Sequence, residues 1–375
     1  MDSQIALLTR INADSNTHHQ YLFSKNRKNT FMRCPNLSEL PPPPPGKTGW
    51  PWTEESSQLP EKMPNGSEWP RISIVTPSYN YGRFIEETIR SVLLQGYPNL
   101  EYIIIDGAST DNTVEIIRKY EQYLTYWISK TDAGQTDALN KGYQYCTGEI
   151  FAWLNADDAY ANSNCLKNVS AIYQQGYELI IGRCLNVDSL GKEINILEKY
   201  NGYSVPQTFD DYIKFWSFIP FPQPGVFIST TLANQCFDLD NTLYYAMDYQ
   251  LFLRVLRLKP KVMFFEENWV KFRYHGDNKT LNPHSGLSEL SQVALSESKK
   301  TYGLVKYFIF KISVNDFMTI SSMIADKTSI TRRQILINLA SRPTLIRWPL
   351  FWKILIKTCL PPFYYDHVKK IVMKA

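Results

Sequence analysis

ISIVTPSYNYGRFIEETIRSVLLQGYPNLEYIIID, residues 72–106, reads as strand, helix, strand. ISIVT (72–76) and EYIIID (101–106) are short apolar runs rich in β-branched residues. Between them FIEETIRSVL (84–93) places Ile85, Ile89 and Val92 on one face at helical spacing. The alternation continues. Ser109 or Asp111 caps a second helix in which Val114, Ile117 and Leu124 share a stripe, and TYWIS (125–129) is a third strand. Gln135 to Cys146 is helical, and IFAWL (150–154) is a fourth strand. Strands alternating with helices of this length predict an α/β fold, with a mostly parallel, doubly wound sheet and helices on both faces. Ligands of such sheets bind outside the carboxyl ends of the strands, at a switch point.

Each strand ends in polar residues. The first ends in Thr76-Pro77-Ser78-Tyr79-Asn80, the second in Asp106-Gly107-Ala108-Ser109-Thr110-Asp111. The third leads into Thr131-Asp132-Ala133-Gly134-Gln135, and the fourth stops at Asn155-Ala156-Asp157-Asp158. Asp157 and Asp158 are adjacent carboxylates at the end of a buried strand, where repulsion and desolvation both oppose ionisation. A divalent metal carrying phosphates meets that need, because hard cations prefer carboxylate oxygens. A helix N-cap is the other reading. No GxGxxG follows the first strand, which argues against a dinucleotide site. Tyr79 can stack on a base, and Asp106 can accept a hydrogen bond from a base N–H or a ribose hydroxyl. A nucleotide with its diphosphate at the metal is therefore a reasonable ligand. Ordinary turns and caps use the same residue types, but four such loops at one sheet edge favour a site.

The chain has 375 residues, enough for one large core or two modest ones. Six scattered cysteines without CxxC pairing, and an N-terminus without signal-peptide character, favour a reducing cytoplasm and no zinc site. No run of about 18 apolar residues occurs, so no membrane-spanning helix is expected. Residues 1–70 read as an irregular Pro/Trp-rich leader containing the polyproline run Pro41 to Pro45. Gly46-Lys47-Thr48 is not a phosphate loop, since Pro41 stands where the first glycine is required. TGWPWTEE (48–55) is too aromatic for a free linker and is expected to pack back with Trp50 and Trp52 buried. Net charge is +4, but residues 281–375 hold 14 Lys and Arg against 5 Asp and Glu. That imbalance points to an anionic partner for the C-terminal part. From Ser329 onward, LIRWPLFWKILIKTCLPPFYY (345–365) mixes aromatic and aliphatic residues with Arg347, Lys353 and Lys357. This composition suits peripheral membrane contact through 329–375, although packing on the core would use the same residues.

Several blocks together carry a resemblance. VTPSYNYGRFIEETIRSVLLQGYPNLEYIIIDGASTDNT (75–113), DAGQTDALNKG (132–142) and LNADD (154–158) precede FPQPGVF (221–227), YYAMDYQLFLRVLRL (244–258) and FRYHG (272–276). In this order they resemble the family 2 glycosyltransferases of bacterial type, which have the GT-A fold. The resemblance implies a GT-A domain over 71–280, with a nucleotide-binding half (71–160) and an acceptor half (161–280), followed by a helical basic C-terminal region over 281–375. It implies inverting transfer of a sugar from a nucleotide-diphosphate donor to a hydroxyl on a sugar or lipid-linked acceptor, in polysaccharide or glycolipid assembly. Mg²⁺ or Mn²⁺ is the implied cofactor, no nucleic acid is involved, and the location is cytoplasmic or peripheral on the inner face of the plasma membrane.

By the same resemblance Thr76, Pro77, Ser78 and Tyr79 hold the nucleotide and Asp106 contacts the base. LNADD matches a DxD metal motif, with Asp157 as metal ligand and Asp158 as an alternative or supporting one. Asn155 replaces the first Asp of that motif; it can still reach a ribose hydroxyl but adds no charge. Asp248 matches the general base; from the residues alone it could equally be a first-turn helix Asp. The family usually has a second carboxylate close by, where this chain has Met247 and Gln250. His275 matches a histidine near the metal or diphosphate, and Gln223 with Pro224 would shape the acceptor pocket. Two other readings are a non-catalytic nucleotide-sugar binder and a sugar-1-phosphate nucleotidyltransferase. The first predicts loss of Asp248 or Asp157, and the second a Gly-rich basic loop in place of TPSYNYG.

Overall fold

The structure is a computed structural model that describes residues 33–194, 206–217, 221–276, 278–279, 283–325 and 332–359. The first 32 residues of the expected leader, the boundary at Thr280 and the tail beyond Cys359 lie outside the described residues.

The described strands form one sheet: β1 (Ile72–Ser78), β2 (Leu100–Asp106), β3 (Tyr126–Ser129), β4 (Ile150–Trp153), β5 (Ala159–Tyr160), β6 (Leu179–Val187), β7 (Val226–Ser229) and β8 (Val262–Arg273). Their order is β3-β2-β1-β4-β7-β6-β8-β5. β1 lies parallel to β2 and β4, and β2 parallel to β3. β7 runs against β4 and β6, β6 lies parallel to β8, and β5 runs against β8. Only β5 and β7 are therefore reversed. The carboxyl ends of β1, β2, β3, β4 and β8 all reach the same sheet edge. The chain steps outward from β1 to β2 and β3, then returns to place β4 on the other side of β1. That reversal is the switch point, and it falls between Ser78 and the Asn155–Asp158 turn.

β1 and β2 are buried along their whole length, as expected of parallel strands covered on both faces. Ile72, Ile74 and Ile104 face a layer containing α1 (Ile85–Leu93), α2 (Thr113–Lys119) and α4 (Cys165–Tyr173). Val75, Ile103 and Ile105 face the opposite layer, with α3 (Gln135–Tyr143) and α7 (Met247–Arg257). A Cβ on Gly142 would come within 2.5 Å of Val75 Cγ1, so glycine there lets α3 lie close on β1. α2 buries Thr113, Ile116 and Ile117 and stops at Lys119, short of Leu124. The chain needs the intervening residues to turn back into β3, and Leu124 is buried beyond the helix end.

The Pro/Trp segment is fixed by one buried cation. Arg90 of α1 donates to the carbonyls of Pro41 (2.8 Å), Pro51 (3.1 Å) and Trp52 (2.9 Å) and to the Tyr120 hydroxyl (3.1 Å). Trp52 is buried, while Trp50 is half-buried and donates through Nε1 to the Tyr160 carbonyl (2.8 Å).

The short helix α5 (Phe209–Tyr212) lies between β6 and β7, the short α6 (Thr230–Ala233) and α7 lie between β7 and β8, and four C-terminal helices follow β8: α8 (Pro283–Thr301), α9 (Leu304–Ala325), α10 (Arg332–Ser341) and α11 (Pro349–Cys359). α8 is tied to α7 by Glu297, which is fully buried and meets Arg257 at 2.6 Å and Arg254 at 3.7 Å. Ile320, Met323, Ile335, Leu345 and Phe351 form a small core among α9, α10 and α11. Part of the aromatic C-terminal stretch is thus core: Phe351 and Leu345 are buried, and Trp348 packs on Trp216 and Phe317. Among the described residues no helix is long and apolar enough to cross a membrane.

Candidate active site

The turn after β4 sends its two carboxylates in opposite directions. Asp158 points inward: its Oδ1 accepts from the Arg273 backbone N–H (3.0 Å) and its Oδ2 from Asn155 Nδ2 (3.3 Å). Burial, with the neighbouring Asp157 charge second, holds the Asp158 pKa well above the usual carboxylate range. Asp157 points to His275, just past the end of β8, with Oδ2 and Nε2 2.9 Å apart. Arg273 braces the turn from beneath, donating through Nε to the Asp157 carbonyl (2.9 Å) and pairing with Glu87 of α1 (2.9 Å).

A pocket of ≈ 360 Å³ opens beside this pair, lined by Tyr79, Asn80, Tyr81, Arg83, Phe84 and His275. Its volume is within the range of small-ligand sites. The loops after β1 and β2 are tied together behind it. Ser109 Oγ accepts from Asn80 N (2.7 Å), and Asp111 accepts from Gly82 N (2.9 Å). Tyr79 is 58% exposed and free to cover a flat ligand. Ser78 Oγ is buried and has no hydrogen-bond partner among the described residues, an orphan of the kind that a ligand satisfies. Thr76 is buried in the sheet against Tyr102 OH (3.1 Å), and Pro77 lies within β1 opposite Ile105. Asp106 is fully buried, and its carboxylate accepts from Ser109 N (2.9 Å), Ser109 Oγ (2.5 Å) and Ser129 Oγ (2.6 Å). It therefore organises the loops that form the pocket wall.

Asn155 explains its own departure from the DxD pattern. Its Oδ1 accepts from Gln135 Nε2 (2.8 Å), while Nδ2 donates to Gln223 Oε1 (3.1 Å) as well as to Asp158. A carboxylate could not donate to either oxygen and would add a third negative charge to the turn. Gln223 in turn donates to the Trp153 carbonyl (3.0 Å).

From Asn155 a chain of contacts leads to the helix that carries Asp248. Gln135 Oε1 accepts from Lys279 Nζ (3.1 Å), and Lys279 also reaches the Tyr244 carbonyl (3.3 Å) and ring (4.0 Å). Thr136 ties the start of α3 to Leu243 and to Met247 Sδ. Asp248, in the first turn of α7, is half-buried. Desolvation pushes its pKa up to about 6; the Tyr249 backbone N–H and the charge of Lys279 oppose the rise. Burial lowers the Lys279 pKa, against the attraction of Asp248 and Glu289. The Asp248 carboxylate thus stays a usable base at neutral pH, close to where a catalytic pKa should lie.

Sequence reasoning missed Arg83, Lys279 and Glu289, and placed Gln135 only among the polar strand-end residues. Arg83 sat inside a quoted motif and is the cation on the pocket wall. Nothing in the sequence pointed to Glu289, because its role depends on how α8 docks. Its carboxylate accepts from three successive backbone N–H groups, Tyr244 (3.0 Å), Tyr245 (2.6 Å) and Ala246 (3.1 Å), and so caps α7 from outside. Glu289→Ala is expected to uncover the positive end of α7 and pull the Asp248 pKa below about 6. Turnover should fall by roughly 10-fold while nucleotide affinity holds, and the acidic limb of the pH–rate profile should move to lower pH. An unchanged profile would reduce Glu289 to a structural cap.

Asp157 offers the oxygen ligand a hard divalent ion takes: Mg²⁺-type sites use one or two carboxylates, with substrate phosphates and water completing the shell, and the described residues hold no cluster of three or more His, Cys, Asp or Glu around a common point.

Fold and crevice together define an α/β protein with a mostly parallel sheet and a small-ligand-sized pocket beside its switch point. The profile of "Glycosyl transferase family 2" matches residues 73–236. An uncharacterized glycosyltransferase of Rickettsia typhi is 30% identical over 234 residues, covering 60% of this chain and 69% of that one. The structure of Staphylococcus aureus TarS residues 1–349 is similar in fold, with TM-score 0.51 and 17% identity over 80% of this chain and 83% of that one. So is a mannosyltransferase of Pyrobaculum calidifontis, solved with GDP-Man and Mn²⁺, with TM-score 0.50 and 16% identity over 82% of this chain and 88% of that one. The chain belongs to the family 2 glycosyltransferases and has the GT-A fold.

Proposed function

We propose that the protein is an inverting glycosyltransferase that moves a sugar from a nucleotide-diphosphate donor to an acceptor hydroxyl, with Mg²⁺ or Mn²⁺, in polysaccharide or glycolipid assembly. The observation that carries this reading is the meeting of Asp157 and His275 (2.9 Å) at the sheet edge, linked through Asn155, Gln135 and Lys279 to the helix of Asp248. In this reading Tyr79 stacks on the base, and the orphaned Ser78 hydroxyl and Arg83 meet donor oxygens. Thr76, Pro77 and Asp106 shape the nucleotide loops from behind, and Asn155 exchanges a protein partner for the ribose. Asp157 and His275 hold the metal, with Asp158 bracing the turn. When bound, the ion neutralises charge on the leaving diphosphate. That the mannosyltransferase of similar fold was solved with Mn²⁺ agrees with this assignment.

Asp248 takes the acceptor proton as the hydroxyl attacks on the side opposite the diphosphate, so the anomeric carbon inverts. One base suffices for that step. Lys279 keeps the Asp248 carboxylate from being an isolated buried charge, and Gln223 bounds the acceptor side. The acceptor is a sugar or a lipid-linked sugar. The location is cytoplasmic or on the inner face of the plasma membrane, with 329–375 as the membrane-contacting part; Trp352, 46% exposed, is its most accessible described aromatic.

A donor panel tests the reading. UDP-, GDP- and dTDP-sugars are added to the full chain with Mg²⁺ or Mn²⁺, and melting temperature and slow donor hydrolysis are followed. One nucleotide class should stabilise the fold, by about 2.7 kcal/mol at 100 times its Kd, and only with metal. No stabilisation by any donor would overturn the proposal.

A further inference from the structure

α9 carries an apolar face that no described residue covers. Leu304, Val305, Phe308, Ile309 and Ile312 are 77%, 74%, 55%, 58% and 44% exposed. At 100° per residue they fall within ~140° of arc on the first three turns. The opposite side of those turns is packed: Phe310 and Val314 are buried, and Phe310 stacks on Trp216. Further along, the bare arc itself becomes covered. Asp316 is buried and accepts from Thr344 Oγ1 (3.0 Å), and Met323 is buried beside Leu345 and Phe351. α11 and the turn before it (Pro343–Arg347) therefore cover the second half of this face, and no described residue covers the first half.

Five large apolar side chains in one arc are more than scattered surface hydrophobicity, and such patches mark interaction sites. The surroundings indicate the partner. Residues 299–312 contain Lys299, Lys300, Lys306 and Lys311 and no Asp or Glu. All four lysines are exposed. Lys300 meets Glu297 and Lys306 meets Asp210; Lys311 falls ~20° outside the arc on the Leu304 side, and Lys299 precedes α9 at the end of α8. Apolar side chains rimmed by lysine match an anionic bilayer, where the former enter the acyl boundary and the latter meet the headgroups. A second copy of the chain would bring the same lysines to face these, so self-association is disfavoured by charge.

We propose that the first three turns of α9 dock the protein on an anionic membrane surface. The proposal rests on the membrane reading of the C-terminal region and adds to 329–375 a second contact on residues that precede it. Docking there would hold the enzyme at the plane where a lipid-linked acceptor is found.

The test is flotation of the full chain with vesicles of phosphatidylcholine containing one part in four phosphatidylglycerol. Wild type should float at low salt and sink in high salt or with phosphatidylcholine alone. Phe308→Glu with Ile309→Glu should lose flotation by at least 10-fold, and Lys299→Glu with Lys311→Glu should lose its salt-sensitive part. All these positions are exposed, so donor-induced thermal stabilisation should be unchanged; this keeps failure of docking separate from failure of the transferase reading. If the double Glu variant floats as wild type does, another surface binds lipid and the α9 proposal falls. It also falls if wild type sinks in every gradient. A dimer in solution that the double Glu variant breaks, with neither protein floating, would make the face a subunit interface instead.

Discussion

Asp248→Asn is expected to lower sugar transfer by ~10²–10⁴-fold, the usual contribution of a positioned general base, and to leave nucleotide affinity unchanged. Asn keeps the shape at the start of α7 and the Glu289 cap behind it, but it cannot take the acceptor proton. The pH dependence follows from the raised pKa. Wild type needs Asp248 ionised, so its rate should fall as pH drops through about 6. Stability carries the opposite sign. The folded chain binds the Asp248 proton more tightly than the unfolded chain does, since the ordinary value is 3.8 and the folded one about 6. This contribution is present below about pH 4 and is lost as pH rises through 6. The Asn variant has no such proton, so it should melt higher than wild type above pH 6 and lose that advantage near pH 4. Unfolding scans across this range check it. A parallel loss of nucleotide binding would instead make Asp248 a donor-site or structural residue.

Asp157→Asn should abolish metal-dependent nucleotide binding. Loss of a group that merely supports a metal ligand costs ~10–100-fold in affinity, and loss of the ligand should cost more. The fold should persist, because the turn is held by the Asp157 backbone carbonyl to Arg273 and by Asp158, neither of which the substitution touches. Titration with nucleotide in Mn²⁺ and in EDTA is the measurement. Equal affinity of variant and wild type in both buffers would remove the metal role from this residue. Asp158→Ala should behave differently, with a loss of stability rather than of metal response, because it removes the acceptor of the buried Arg273 backbone N–H.

The half over 71–160 was legible because its signals are local. Runs such as Tyr102 to Ile105, short, rich in isoleucine and followed by turn residues, read as strands buried on both faces, and the strand ends of a parallel sheet define a site edge. What the residues could not reveal was direction at the side-chain level. Asp157 and Asp158 are indistinguishable in sequence, yet one faces His275 and the other Arg273. Asp106 and Thr76 look like ligand contacts in a motif and turn out to be buried beneath the loops. The arrival of β8 at the same edge, which brings His275 to Asp157, depends on β7 running antiparallel between β4 and β6. No periodicity within β8 encodes that. The same holds for Glu289 and Lys279, whose partners lie on elements that only docking brings together. In the tail, composition alone could not separate Phe351, which is buried, from Trp352, which is 46% exposed.

The central claim is that the Asp157–His275 pair at the switch point holds the metal-bound diphosphate of a donor. Crystals of the full chain soaked with the stabilising nucleotide diphosphate and Mn²⁺, with anomalous scattering recorded from the manganese, test it directly. The account predicts one manganese peak bonded to Asp157 and His275, the diphosphate beside Arg83, and the base against Tyr79. Manganese and diphosphate bound away from Asp157, or a nucleotide held with no metal at all, would contradict it.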